Sequence, residues 1–368
     1  MKVPFFDYPR LYLDDKKNLL SIFDKTASSG AFIMQKDLEE FEKKLAIYSD
    51  TKYAIGVANA TDGLELALMS IGLNKGDEVI CCSHTMLATA AAILLAGGKP
   101  IPVEMGDDNL IDYEAIEDAI TPNTVGIMPT QLNGRTCNMD KINSIKEKYK
   151  LFLVEDAAQA LGSKFKGRNA GTFGTASAIS FFPAKVLGCL GDGGGVLTND
   201  PETFNKIYQL HDHGRDINGE VKSWGRNSRL DNLQAAFLNY KFNDYDNVIK
   251  RRRKIAEIYD KNLSELQQLK LPPSPNSDKN HFDVYQNYEI ECDCRNELKE
   301  YLYKNGIGTI IQWGGKGIHQ WEGLGFDNLI LPKTERFFNR CILLPMNQFI
   351  SDEDVKYVCN KIIEFYKS

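Results

Sequence analysis

Three short stretches carry residue types that can do chemistry together. Residues 151–161, LFLVEDAAQAL, form an apolar run that ends in Glu155 and Asp156 before small residues open a helix. A carboxylate at the carboxyl end of a buried strand can meet a ligand cation, or it can simply cap the helix that follows. Residues 180–195, SFFPAKVLGCLGDGGG, place Lys185 among apolar and small neighbours. Losing water there disfavours the ammonium and leaves a nucleophilic amine, unless the side chain reaches out to solvent. Residues 57–63, VANATDG, run into a helical stripe of Leu64, Leu66, Ala67 and Ile71. Free amides at a helix start, with the Thr61 hydroxyl, make a phosphate cradle. Asp62 suits that role only with its carboxylate turned away, and a plain helix cap is the competing reading.

Taken together, a phosphate cradle, a strand-end carboxylate and a lysine beyond it are what pyridoxal phosphate (PLP) needs. The lysine takes the aldehyde as a Schiff base, the carboxylate keeps the pyridine nitrogen protonated, and the helix start holds the phosphate. The glycine cluster argues against other cofactors. Counting from Gly191, G-x-G-x-x-G requires glycine at 196, where Val196 stands, and no Walker A motif occurs.

Positioning these residues requires strands that end where they lie. Apolar runs at 78–83, 100–104, 125–131, 151–155, 178–182 and 195–198 read as buried strands. Helical stripes lie between several of them: Leu38, Phe41 and Leu45; Leu64 to Ile71; residues 111–120; and residues 139–149. This alternation predicts an α/β fold, a mostly parallel central sheet covered by helices, with ligands at the carboxyl ends of its strands. The basic run 251–254 reads as a solvated helix face. Pro272, Pro273 and Pro275 mark a turn region, after which a smaller α+β unit follows. The expected division is a large domain over 1–245, whose N-terminal segment can pack on the small domain, and a small domain over 246–368.

Composition bounds the function class. The 368 residues, 43% hydrophobic and 26% charged with a net charge of −6, describe a folded chain without the clustered basic face of a nucleic-acid binder. The longest largely apolar stretch, 88–96, is about half the ~20 residues of a membrane span. The N-terminus lacks the apolar core of a signal segment. Eight scattered cysteines, with C-x-C at 292–294 rather than C-x-x-C, predict reduced thiols in a cytoplasm and no metal site.

The sequence resembles the DegT-type family of PLP-dependent sugar aminotransferases, which have the aspartate-aminotransferase fold (fold type I), along nearly its full length. The resemblance is carried by GDEVI at 76–80, AITPNT at 119–124, VEDAAQALGSKFKGRNAGTFG at 154–174, SFFPAKVLGCLGDGGGV at 180–196, NSRLDNLQAA at 227–236 and LLPMN at 343–347. It implies Lys185 as the Schiff-base lysine, Asp156 as the pyridinium partner and Gln159 on the cofactor's 3-hydroxyl. It implies Ala60, Thr61, Asp62 and Ser180 at the phosphate, joined by Asn227 from the second subunit of a homodimer with shared active sites. His213 and Arg215 fall where the family has a loop near the site, and His319 and Gln320 in its sugar-side loop. The implied reaction moves an amino group from L-glutamate, giving 2-oxoglutarate, to a keto-sugar, most readily a nucleotide-linked one, in amino-sugar and surface-glycan synthesis.

Three departures from the family pattern fall on the substrate side. Met86 in SHTMLAT (83–89) stands where an aromatic residue usually stacks on the pyridine ring, with His84 two residues before it. Gln131-Leu132-Asn133-Gly134 replaces His-Leu-Tyr-Gly, and a run containing Gln312 and Trp313 replaces a tyrosine-proline run. They point to an unusual substrate. Two rival readings share the fold. A PLP-dependent sugar dehydratase has histidine in place of the lysine, and a non-enzymatic regulator is expected to have lost Lys185 or Asp156; this chain keeps both.

Overall fold

The computed structural model describes residues 2–367. Its centre is a seven-stranded sheet of β1 (Tyr53–Val57), β2 (Glu78–Cys82), β3 (Lys99–Val103), β4 (Thr124–Met128), β5 (Phe152–Asp156), β6 (Ala176–Ser180) and β7 (Gly194–Thr198), in the order β1-β7-β6-β5-β4-β2-β3. The pairs from β6 through β5, β4 and β2 to β3 are parallel. Only β7 runs against its neighbours β1 and β6, so β1 points the same way as β5 and β6. The expected mostly parallel sheet is therefore present, with one reversed strand. Most residues of its strands are buried, and β2 and β7 are buried throughout, as expected when helices cover both faces.

The helices follow their stripes. In α1 (Lys36–Ser49) the buried residues include Leu38, Phe41 and Leu45, and α2 (Ala60–Ile71) buries Leu64, Leu66, Ala67 and Leu68. Helix α3 (Leu87–Leu95, LATAAAILL) and strand β1 escaped the sequence reading. With no polar face, α3 gives no amphipathic stripe; it buries Thr89, Ala90, Ala92 and Ile93 and leaves Leu94 and Leu95 exposed. Helix α4 is Met139–Tyr149 and α5 is Asn232–Phe242.

The boundary near 245 is not a clean cut. Helix α6 (Tyr245–Leu263) begins in the large domain's core with Tyr245 and Ile249 and ends in the small domain's core with Ile255, Tyr259 and Leu263. Val3 joins that second core and bridges Ile307, so the N-terminal segment packs on the small domain. The small domain centres on β8 (Tyr288–Cys292) paired antiparallel with β9 (Cys341–Leu344), backed by α7 (Asp352–Lys367). The basic run needs correction. Arg252 is only 2% exposed and donates to the carbonyls of Tyr285 and Gln286 at 3.0 Å each, so one of its four charges holds the domain junction instead of facing water.

Candidate active site

The strand directions bring the three stretches to one edge. The chain leaves β1 into α2, leaves β5 at Asp156 and leaves β6 at Ser180, all at carboxyl ends on the same side of the sheet. Asp156 is 3% exposed. Its Oδ2 accepts from the Thr89 hydroxyl at 2.7 Å and its Oδ1 from the Ala158 amide at 3.1 Å. Behind Thr89 a buried hydroxyl chain continues through Thr85 (2.8 Å) to Thr130 (2.7 Å). Burial pushes the Asp156 carboxyl up from its ordinary value, opposed by those two hydrogen bonds and by the charge of Lys185. Burial in turn lowers Lys185 to about 8, partly offset by Asp156.

A residue that the sequence reading missed aims the lysine. Gln286, buried at the start of the small domain's sheet region, accepts from the Val186 amide at 3.0 Å and donates to the Ala184 carbonyl at 2.9 Å. It thus grips the peptides on both sides of Lys185, while Arg252 grips the Gln286 carbonyl. Nothing in the local pattern around 286 announces this, because the contact spans about a hundred residues of chain.

Helix α2 begins as a cradle. Asn59 caps it, its Oδ1 accepting from the Asp62 amide at 2.9 Å, and the first-turn amides of Ala60 and Thr61 have no intrahelical acceptor. The glycine cluster explains itself here. A Cβ on Gly194 would lie 2.5 Å from the Asn59 carbonyl carbon and 2.7 Å from the Ala60 nitrogen, so glycine lets β7 pass against the cradle. Ser180 ends β6 half-buried, and Gln159 follows Asp156 with its Oε1 accepting from the Asn133 amide at 2.8 Å. Met86 precedes α3 and is half exposed. These donors fit PLP: a buried carboxylate for a ring cation, an amine near neutrality for an aldehyde, and free helix-start amides for a phosphate.

The expected substrate side divides. His84, Gln131, Gln312 and His319 are all buried. Gln131 donates to Glu155 at 2.7 Å and accepts from the Cys137 amide; His319 lies between Ser83 (2.7 Å) and Glu335 (3.2 Å). These partners, and burial, set the orientation of His84, Gln131, Gln312 and His319 in the wall of the site. Trp313 is half-buried at φ 47°, its ring 5.6 Å from that of His84. His213 and Arg215 stay exposed on a projecting hairpin, 213–226, which also carries Asn227 at its base. Asn227 is exposed, and its neighbour Ser228 accepts from the Ala58 amide at 3.2 Å.

Residues 14–363 match the DegT/DnrJ/EryC1/StrS aminotransferase family. The chain belongs to this family. It is 35% identical to a pleiotropic regulatory protein of Geobacillus stearothermophilus, over 100% of this chain and 99% of the relative. It is 33% identical to the dTDP-3-amino-3,4,6-trideoxy-alpha-D-glucose transaminase of Streptomyces venezuelae, over 99% and 96%. Among solved structures, S. venezuelae DesV in complex with a ketimine intermediate superposes with a TM-score of 0.95 at 32% identity, over 100% of this chain and 99% of that one. NtdA of Bacillus subtilis with bound cofactor PMP superposes with a TM-score of 0.92 at 30% identity, over 100% and 85%. This family member is a PLP-dependent aminotransferase of fold type I.

Proposed function

We propose that this aminotransferase moves the amino group of L-glutamate, released as 2-oxoglutarate, onto the keto carbon of a nucleotide-linked sugar. Its product serves amino-sugar and surface-glycan synthesis. The observation that carries the chemistry is Lys185, lowered to about 8, facing the charge of a buried Asp156 at the sheet edge. The sugar class rests on the dTDP-sugar transaminase and on a Pseudomonas aeruginosa relative, a UDP-2-acetamido-2-deoxy-3-oxo-D-glucuronate aminotransferase, 32% identical over 97% of this chain and 98% of the relative.

When bound, PLP supplies an aldehyde that condenses with amines and a ring that accepts electrons. Lys185, lowered to about 8, would accept a proton from one carbon on its free amine and return it to another from the ammonium. Asp156, whose carboxylate form is favoured by the hydrogen bonds from Thr89 and Ala158 against the cost of burial, would hold a ring nitrogen protonated. The amides of Ala60 and Thr61, with the Thr61 hydroxyl and Ser180, would hold the phosphate, with Asp62 beside them and its own amide on the Asn59 cap. Gln159 would meet the 3-hydroxyl, and Met86 would cover the ring.

The working unit in this reading is a homodimer in the cytoplasm, Asn227 reaching the partner's phosphate and His213 and Arg215 its substrate. The hairpin exposes Ile217, Val221 and Trp224, the last 97% accessible, and Met86, Leu87, Leu94 and Leu95 lie bare along α3. Apolar surface of that kind favours a second copy. All eight cysteines are free, as suits a reducing compartment. Retention of both Lys185 and Asp156 favours catalysis over a purely regulatory role. The test is amino transfer from L-glutamate to a panel of dTDP- and UDP-linked keto-sugars by PLP-loaded protein. Release of 2-oxoglutarate that depends on one panel member is expected; no release with any of them removes this substrate class.

A further inference from the structure

The substrate-side departures meet on one residue that the sequence did not single out. Glu289, on β8 of the small domain and 2% exposed, accepts from the Asn133 Nδ2 through Oε2 at 2.6 Å. The same oxygen lies 3.4 Å from His84 Nε2. The His84 ring packs against Trp313, Phe337 and Phe338, and its Nδ1 meets the Asn109 carbonyl at 2.9 Å. Asn287, two residues earlier on the small domain, donates to Asn133 Oδ1 at 2.8 Å. Asn133 is therefore held at both ends of its amide by the small domain. It also stands in the left-handed region, φ 55° and ψ 15°, a conformation asparagine tolerates better than most residues.

That pinned turn aims a cofactor-side group. The Asn133 amide donates to Gln159 Oε1 at 2.8 Å. That bond requires the oxygen end of the Gln159 amide to face Asn133, so the amide has one orientation and not two, with its NH2 turned the other way. We propose that Glu289 is a positioning residue for the cofactor. By anchoring Asn133 it fixes the Gln159 amide as a donor toward the 3-oxygen of PLP, and so ties small-domain placement to cofactor geometry. The proposal rests on Gln159 meeting that oxygen, as read above.

The physical reason for a carboxyl side chain at 289 is the half-buried Asn133 NH2, which pairs at 2.6 Å with its Oε2 inside the domain junction. Replacing Glu289 by leucine leaves that donor unpaired and the turn held through Asn287 alone. Replacing it by glutamine keeps an acceptor oxygen of the same reach.

The experiment measures the PLP dissociation constant and the absorption band of bound PLP, at one fixed pH, in Glu289→Leu, Glu289→Gln, Asn133→Gly, Gln159→Ala and the combinations with Gln159→Ala. Glycine at 133 keeps the left-handed turn and the amide while removing the tether. Expected are a weakening of about five- to tenfold in Glu289→Leu and Asn133→Gly, the scale of one hydrogen bond, with a shifted band. Glu289→Gln should stay within about twofold of the parent. Adding either tether variant to Gln159→Ala should cause no further loss, because the effect runs through that amide. Losses that multiply in the double variants, or an unchanged band in both tether variants, overturn the role of Glu289 while leaving Gln159 in place. If Gln159→Ala alone binds PLP normally, the assignment of Gln159 fails and this proposal falls with it. Should Glu289→Leu not fold, the Asn133→Gly pair decides the matter alone.

Discussion

Replacing Asp156 by asparagine tests the electron-withdrawing half of the site with little steric disturbance. Asn Oδ1 can still accept from the Ala158 amide, as Asp156 Oδ1 does now. At the other position an NH2 would face the Thr89 hydroxyl, which currently donates to Oδ2. The Thr89–Thr85–Thr130 chain can reverse, since either hydroxyl of each pair is able to donate, so Thr89 becomes an acceptor and the fold persists. What is lost is the charge. An opposite charge within ~4–6 Å moves a pKa by about 1–3 units, or ~1.4–4 kcal/mol, so turnover should fall by roughly ten- to a thousandfold while PLP still binds. The assay follows the half-reaction of L-glutamate with PLP-loaded protein by absorbance. A second readout comes from Lys185, whose ammonium Asp156 now favours. Without that charge its value should drop further below about 8, and the pH midpoint for capturing PLP should move down with it. Turnover within about threefold of the parent, with the midpoint unmoved, would refute both the charge argument and the Lys185–Asp156 coupling.

Three other outcomes are expected. Borohydride should fix PLP to Lys185, and capture of PLP by apoprotein should rise with pH through a midpoint of about 8 and then level off, because the amine is half formed at its lowered value and nearly complete above it; label on another lysine, or a midpoint moved toward 10.5, contradicts this. Mixed dimers of Lys185→Ala and Asn227→Asp subunits should regain activity that neither parent has, since one site per dimer carries neither change and the new carboxylate repels a phosphate only in the others; folded parents with no recovery place Asn227 in its own chain's service. Gly194→Ala should cost ~1–3 kcal/mol in a denaturant titration and weaken PLP binding, because the added Cβ meets backbone at residues 59–60; unchanged stability and affinity would show that the α2 start yields freely.

The central sheet was legible because its strands are short, apolar and separated by striped helices, a signal that each segment carries on its own. Helix α3 and strand β1 were missed for one cause. Helix α3 is apolar on every side and β1 lacks polar alternation, so neither shows the contrast that periodicity detects. Arg252 went wrong in the opposite direction. Within RRRK it looks like one solvated charge among four, and only the carbonyls of Tyr285 and Gln286, brought over by the second domain, give it a buried partner set.

The same distinction separates what could be read of the site from what could not. Lys185, Asp156 and the Ala60–Thr61 cradle each combine a residue type with a strand end or a helix start, and the parallel topology then gathers them without further information. The supports have no such signature. Gln286 steadies Lys185 from a hundred residues away, and Glu289 reaches Asn133 across the domain junction. Gln131 looked like a substrate contact because its place in the chain is close to the site, yet its amide is spent on Glu155, a carboxylate that also receives the Gly171, Phe173 and Gly174 amides. Position along the chain says that a side chain is near the chemistry; which way it faces is decided by partners that only folding supplies. A substitution at 84, 131 or 133 should therefore be felt first at Glu289 or Glu155, the carboxylates that these side chains face.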